Sequence, residues 1–238
     1  MKYLELSLPT PEENLALDEW LLQQTEDSGV ETLRLWESSH PFVVLGRSNS
    51  LAGEVDTEAC RQRNIPILRR VSGGGTVVQG PGCLSYAVTL AIPPAGPLAS
   101  ITGTNRWIME RHQNAISSLI GEPVEVKGHS DLALAGRKFS GNAQKRGRSA
   151  LLFHGTLLHA ADLAVMAAAL RHPKVEPDWR EGRSHGEFIT NLPTDRTALG
   201  AALRQAWDAT DDLLERPDDL TLAKLADRHR EASWIAAR

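Results

Sequence analysis

The sequence predicts a mixed α/β chain of the α+β kind, in which largely antiparallel sheets are flanked by helices. Three observations carry that expectation. Between residues 124 and 158, four strand-like runs follow one another with only short glycine- or arginine-bearing turns between them, as antiparallel pairing requires. Elsewhere, short apolar runs alternate with longer stretches whose apolar residues recur at helical spacing. The 238 residues also show no internal repeat, no low-complexity tract and no boundary before about residue 190, so the chain reads as one domain, 1–238, with helices at 194–238 closing over it.

Taken in order, residues 3–7 form a first strand. Thr10-Pro11-Glu12-Glu13 then starts a helix, with a capping threonine, a first-turn proline and a glutamate at the third position, and Ser28-Gly29 stops it. Residues 32–37 alternate, which predicts a half-buried strand with Leu33 and Leu35 opposite Thr32, Arg34 and Trp36. Residues 42–45 are a short buried strand running into Gly46-Arg47-Ser48-Asn49, and residues 56–63 a short helix bearing Cys60 as a packed thiol. Residues 65–68 and 83–91 are two further strands. The prolines at 93–97 exclude a regular element there, and residues 104–119 form a long amphipathic helix in which His112 is structural. After the strands at 124–127, 131–135, 138–144 and 151–158 come an alanine-rich helix at 162–171 and a charged loop or lid at 172–184. Two closing helices, 194–214 and 218–230, end the chain.

The stretch from Arg69 to Gly82 lies between two strands and contains Gly73-Gly74-Gly75. Three glycines in a turn let backbone N–H groups approach a ligand, and Arg69 and Arg70 at its edge can pair with phosphate or carboxylate. The same glycines also suit a tight hairpin or bulge without a ligand. No Gly-Lys-Ser/Thr follows, and no helix opens after the glycines, so neither a Walker loop nor a dinucleotide fingerprint is present. A net charge near −4 gives no general case for a nucleic-acid or membrane partner. The two cysteines, Cys60 and Cys83, make neither a disulfide framework nor a metal-ligand pattern. With no signal-peptide core and no apolar run near about 20 residues, the expected location is a reducing cytoplasm.

A second stretch, Lys138-Phe139-Ser140-Gly141-Asn142-Ala143, is followed by His154-Gly155-Thr156-Leu157-Leu158. Together with Arg69-Arg70-x-Ser72-Gly73-Gly74-Gly75, these motifs resemble, in order, those of the lipoate-protein ligase A family, within the wider biotin and lipoate protein ligase group. Weaker echoes lie at Asn14-Ala16-Leu17-Asp18, at Gly46-Arg47-x-x-Asn49 and from Arg183 to Leu192. The resemblance implies the catalytic-domain fold of that group, in a short form without the C-terminal accessory domain of longer members. It implies an ATP-dependent ligase that activates lipoate as lipoyl-AMP and passes the lipoyl group to a lysine of an acceptor lipoyl domain, with ATP and Mg²⁺ as cofactors. A separate accessory-domain protein is a further implied partner.

On that resemblance, Lys138 is the catalytic cation, stabilising the adenylate and then the acyl-transfer transition state. Arg47, Arg69, Arg70, Ser72, Gly73, Gly74, Gly75, Thr76 and Val77 line the adenylate cradle on one side. Ser140, Gly141, Asn142, Ala143, His154, Gly155 and Thr156 line it on the other, with Asn142 reading a base or ribose edge. Asp131 is the candidate magnesium ligand, or else a plain turn aspartate. His154 is either a general base for the attacking lysine or a hydrogen-bonded packing residue. The rival reading is an ATP-independent octanoyl or lipoyl acyltransferase working through a cysteine thioester. The segments that carry the cysteine in such relatives, here residues 122–137 and 146–153, contain none. A non-catalytic lipoyl-binding relative is the third reading. A biotin ligase lacks support, because no Gly-Arg-Gly-Arg pattern and no DNA-binding extension is present.

Overall fold

Along the chain, the computed structural model describes residues 1–173 and 176–237. The elements are β1 (Lys2–Glu5), α1 (Pro11–Ser28), β2 (Thr32–Trp36), β3 (Phe42–Leu45), α2 (Leu51–Glu54), α3 (Thr57–Gln62), β4 (Ile67–Arg69), β5 (Val77–Gln79) and β6 (Cys83–Ala91). Then follow α4 (Ile101–Ile120), β7 (Val124–Lys127), β8 (Asp131–Leu134), β9 (Arg137–Arg146), β10 (Ala150–Leu158) and α5 (Leu163–Ala169). The last are α6 (His185–Phe188), α7 (Arg196–Ala206), β11 (Asp211–Asp212), α8 (Asp219–Arg230) and α9 (Ala232–Ile235). Helix α1 forms as its sequence dictates: Thr10 and Glu13 close a capping box, and Gly29 ends the helix in the left-handed region at φ 74°.

An eight-stranded sheet has the order β11-β1-β2-β6-β10-β9-β8-β7. Strand β1 runs parallel to β2 and β11, and the other neighbours are antiparallel. A smaller sheet, β4-β3-β5, holds the glycine-rich turn between its outer strands. On one face of the large sheet, Ile108, Met109 and Ile116 of α4 and Leu199 and Leu203 of α7 pack on Leu84, Val88 and Phe153. On the other, Leu22 of α1 meets Ala87 and Leu152, while Leu15 joins Trp36 to Phe42, Val44 and Leu68 of the small sheet. This second layer is why β2 departs from its expected half-burial. Thr32, Arg34 and Trp36 are buried along with the leucines, because α1 and the small sheet cover their face. Arg34 survives there by pairing with Asp18 at 2.5 Å and donating to the carbonyls of Leu6 and Asn14.

The expected helix at 194–214 ends at Ala206. Trp207 turns into the core, where its indole donates to His112 Nε2 at 2.8 Å, and Asp211–Asp212 adds to the sheet edge beside β1. Helix α8 packs along α1, and α8 and α9 both reach β4. In the expected loop at 172–184, one 3₁₀ turn forms at Asp178–Arg180, and Lys174 and Val175 lie outside the described residues, as does Arg238. No described helix is long and apolar enough to cross a membrane.

Candidate active site

The glycine-rich turn wraps around a guanidinium. Arg70 is buried at the end of β4, where its Nε donates to Ser72 Oγ at 2.9 Å. Its Nη2 reaches the carbonyls of Gly73 at 2.5 Å and Gly75 at 2.9 Å, and its Nη1 that of Val44 at 3.3 Å. The peptide N–H groups of Gly74 and Gly75 find no acceptor among the described residues. Gly74 has φ 83°, and a Cβ there would press on Arg70 and on Ala143 across the site, so the position needs glycine. Burial pulls Arg70 down to about 10, still far above neutrality, so the turn keeps a fixed positive charge at its centre.

The facing wall comes from β9. Strict alternation would put Lys138 on the face of Ser140 and Asn142, toward α4. Instead the register slips between Leu132 and Ala133, so that Leu132 pairs with Ser140 but Ala133 with Lys138. The extra residue, Phe139, enters the main core, and Lys138 turns to the cavity side. There it lies over Gly141, whose missing Cβ would stand 3.0 Å from Nζ. Asp131 Oδ1 holds the ammonium at 2.6 Å, both groups being largely shielded from solvent.

Lys138, Asp131, Arg70, Gly74 and Gly75 line a single cavity of about 740 Å³. Leu15, Trp36, Val44 and Val77 form its apolar part. A side pocket of about 120 Å³ shares Thr76, Val77, Lys138, Gly141 and Thr156 with it and is walled by Leu158, Met166, Phe188 and Ile189. Asn142, Ala143, His154 and Gly155 also line the main cavity, while Ser140 lines the side pocket. Ser72 and Gly73 shape the turn without facing the cavity.

Two arginines expected at the site lie elsewhere. Arg69 donates to the carbonyls of Gly46, Arg47 and Asn49 and to those of Trp234 and Ile235, so it ties the end of the chain to the loop after β3. Arg47 is exposed, and its backbone N–H, not its side chain, serves the turn by donating to Ser72 O at 2.8 Å. The Asn142 side chain, expected to read a base or ribose, is already engaged by Tyr86, Ser130 and Ser140.

A buried chain of polar groups stands behind the turn. Ser72 Oγ accepts from Arg70 Nε, which can only donate, and is hydrogen-bonded to His154 Nε2 at 2.6 Å. The other ring nitrogen, Nδ1, faces Asp18 Oδ2 at 3.7 Å. Asp18 and Tyr86 line the cavity without having been singled out from the site motifs. Asp18 sits in the echo at residues 14–18, but an acidic residue inside an amphipathic helix gives no sign that it faces a pocket.

The lipoyl protein ligase A/B catalytic domain model matches residues 10–196. The chain belongs to this family. A probable lipoate-protein ligase A of Mycoplasma pneumoniae is 30% identical over 191 residues, which cover 76% of this chain and 54% of that protein. The chain spans about half the length of the curated relatives it matches. Among solved structures, a putative lipoate protein ligase of Thermoplasma acidophilum with bound lipoic acid superposes with a TM-score of 0.83 at 20% identity, covering 100% of this chain and 99% of that one. A bipartite lipoate protein ligase from the same organism, described with its E2 lipoyl domain, gives 0.83 at 21%, covering 100% and 96%. A lipoate-protein ligase A bound with ATP gives 0.81 at 21%, covering 99% and 98%. The fold is thus that of the lipoate ligase catalytic domain, and the three motifs that resembled the family fall within the matched span.

Proposed function

We propose that this chain is the catalytic domain of an ATP-dependent lipoate-protein ligase acting in the cytoplasm. The observation that carries the reading is one cavity in which the Lys138 ammonium and the unengaged amides of Gly74 and Gly75 accompany an apolar wall. Joining a carboxylic acid to a lysine is uphill until the acid is activated. A lipoate oxygen would attack the α-phosphorus of ATP, the bond to the bridging oxygen would break, and pyrophosphate would leave. The lysine amine of an acceptor lipoyl domain would then attack the acyl carbon and displace AMP, losing a proton. Both steps concentrate negative charge, and fixed donors aimed at that charge are what lower such barriers.

In this reading the acyl chain lies against Leu15, Trp36 and Val44, and the adenine base fills the apolar side pocket. The phosphates and acyl carboxylate meet Lys138, with the glycine amides opposite. His154, its Nε2 bonded to Ser72 Oγ, acts as a positioning residue for the turn and not as the base. Magnesium in phosphate sites takes one or two carboxylates and completes its shell from phosphates and water. Asp131 fits that demand through the oxygen not bound to Lys138, and would hold the ion, which when bound offsets phosphate charge.

The acyltransferase alternative lacks its nucleophile among the described residues. Cys60 and Cys83 are both buried, neither lines the cavity, and burial pushes the Cys83 thiol up to about 12. The bipartite relative supports a separate accessory-domain protein as partner, with a lipoyl domain as acceptor. The test is incubation of lipoyl domains with this chain, ATP and lipoate, with and without such a partner, read by pyrophosphate release and by mass. Pyrophosphate release followed by a lipoyl mass gain is expected. A mass gain from an acyl carrier without ATP would favour the acyltransferase, and neither signal would leave a non-catalytic lipoate binder.

A further inference from the structure

Tyr86, Gly155 and Asn142 stand side by side on three neighbouring strands. Tyr86 of β6 pairs with Gly155 of β10, and Gly155 pairs with Asn142 of β9. The middle position has no side chain, so the Tyr86 hydroxyl crosses it and donates to Asn142 Oδ1. A Cβ at residue 155 would collide with the Asn142 amide. Tyr86 is fully buried, and its ring is held edge-on to His112 of α4 with centroids 4.6 Å apart. Burial raises its pKa well above the ordinary value, so the hydroxyl stays a donor.

With Oδ1 taken by Tyr86, the orientation of the Asn142 amide is set. Its Nδ2 donates to Ser130 O at 2.5 Å, and Ser130 Oγ donates back to Asn142 O at 3.0 Å. Ser130 closes the turn between β7 and β8, a turn that needs Gly128 at φ 56°. The next residue is Asp131, whose carboxylate holds Lys138 at 2.6 Å. A continuous line of contacts thus runs from the middle of the sheet to the ammonium. Lys138 is a long, rotatable side chain; Asp131 fixes where its charge sits, and the turn fixes Asp131.

We propose that Tyr86 is a positioning residue for Lys138: its hydroxyl orients the Asn142 amide, which clamps the 128–130 turn and so places the Asp131 carboxylate that aims the ammonium. This rests on Lys138 acting in adenylation. The test compares wild type, Tyr86→Phe, Asp131→Ala and the double variant for pyrophosphate release with ATP and lipoate, for lipoate affinity by titration, and for amide hydrogen exchange in the protein without ligands. Tyr86→Phe should slow pyrophosphate release about tenfold, the upper range for one buried hydrogen bond. Lipoate affinity should stay within about twofold, since Leu15, Trp36 and Val44 are untouched. Added to Asp131→Ala, the tyrosine change should cost nothing further, because both act on one element. An additive loss in the double variant, or a wild-type rate in Tyr86→Phe, overturns the proposal. Independently of activity, the amides of residues 128–131 should exchange faster in Tyr86→Phe; unchanged protection there also overturns it. If wild type itself releases no pyrophosphate, the ligase reading falls, while the exchange comparison still decides whether Tyr86 holds the turn.

Discussion

Replacing Lys138 with alanine separates chemistry from folding at the position on which the site depends. The ammonium lies on a strand whose register slip turns it into the cavity, so its removal takes one fixed positive charge from the reacting groups and moves no backbone. Losing one preorganised donor from a developing negative charge lowers a rate by about 10²- to 10³-fold. The stability cost is smaller. Lys138 keeps 25% and Asp131 14% of their side-chain exposure, so some water still reaches the 2.6 Å pair, and the orphaned carboxylate costs about 1 kcal/mol. For a chain of this size, that is a fall in Tm of about 2–4 °C. The assay is pyrophosphate release with ATP and lipoate, run beside a thermal melt. A rate within threefold of wild type at an unchanged melting profile would refute the argument, since the cavity would then work without its central cation.

Other perturbations follow from the same contacts. Ser72→Ala leaves Arg70 Nε and His154 Nε2 without their shared partner; denaturant unfolding should show a loss of about 1–3 kcal/mol, and lipoate-dependent pyrophosphate release should weaken as the glycine turn loosens. Gly46→Ala puts a Cβ onto the carbonyl of Gly74, so ligand affinity should fall more than stability does, as measured by titration against a melt. Arg69→Lys forfeits the fork that binds the carbonyls of Gly46, Asn49 and Ile235, and limited proteolysis should cut earlier around residues 230–237. Burial pulls His112 down to about 3 from the ordinary 6.5, so the unfolded chain binds a proton that the folded one refuses between those values. Its contribution to stability is full above about pH 6.5 and shrinks by about 1.4 kcal/mol per pH unit as the pH falls toward 3. His112→Gln, which keeps an acceptor for Trp207 but does not titrate, should flatten that part of a stability-against-pH curve.

Most elements were legible because local chemistry decided them. The capping box at Thr10, the glycine stop at 29 and the antiparallel run from β7 to β10 need no tertiary partner to be recognised. The errors fall where a second layer intervenes. Alternation in β2 implied a wet face, yet α1 and the small sheet cover it, and only the Asp18 pair makes a buried Arg34 tolerable. Helical spacing past Ala206 stopped mattering once Trp207 had an acceptor in His112. At the site, the glycines and Lys138 stood out only through the motifs that resemble the family, and the fold brings Gly74, Gly75 and Lys138 to one cavity. The arginines were not, since Arg69 and Arg70 have identical local sequence signals and their adjacent positions at the end of β4 send them to opposite sides. One became the centre of the glycine turn and the other a tie to the chain end.

That division explains why so few of the polar residues in the motifs face the cavity with donors to spare. Arg70 gives its N–H groups to its own turn and to Val44, the Asn142 amide is tied to Tyr86 and Ser130, and the His154 ring is bonded to Ser72. Each of these bonds removes a rotation that a ligand would otherwise have to freeze on binding, at about 0.5–1.5 kcal/mol per flexible side chain. Among the described residues, the groups ready to meet an anion include the Gly74 and Gly75 N–H groups and one ammonium braced by a carboxylate. Such a site gains little from further donors and much from keeping those three in place. Substitutions at the bracing residues should therefore lower kcat while sparing lipoate affinity, whereas changes at Leu15, Trp36 or Val44 should do the reverse; parallel titration and pyrophosphate assays on the two sets would show it, and equal effects on both parameters would count against a braced site.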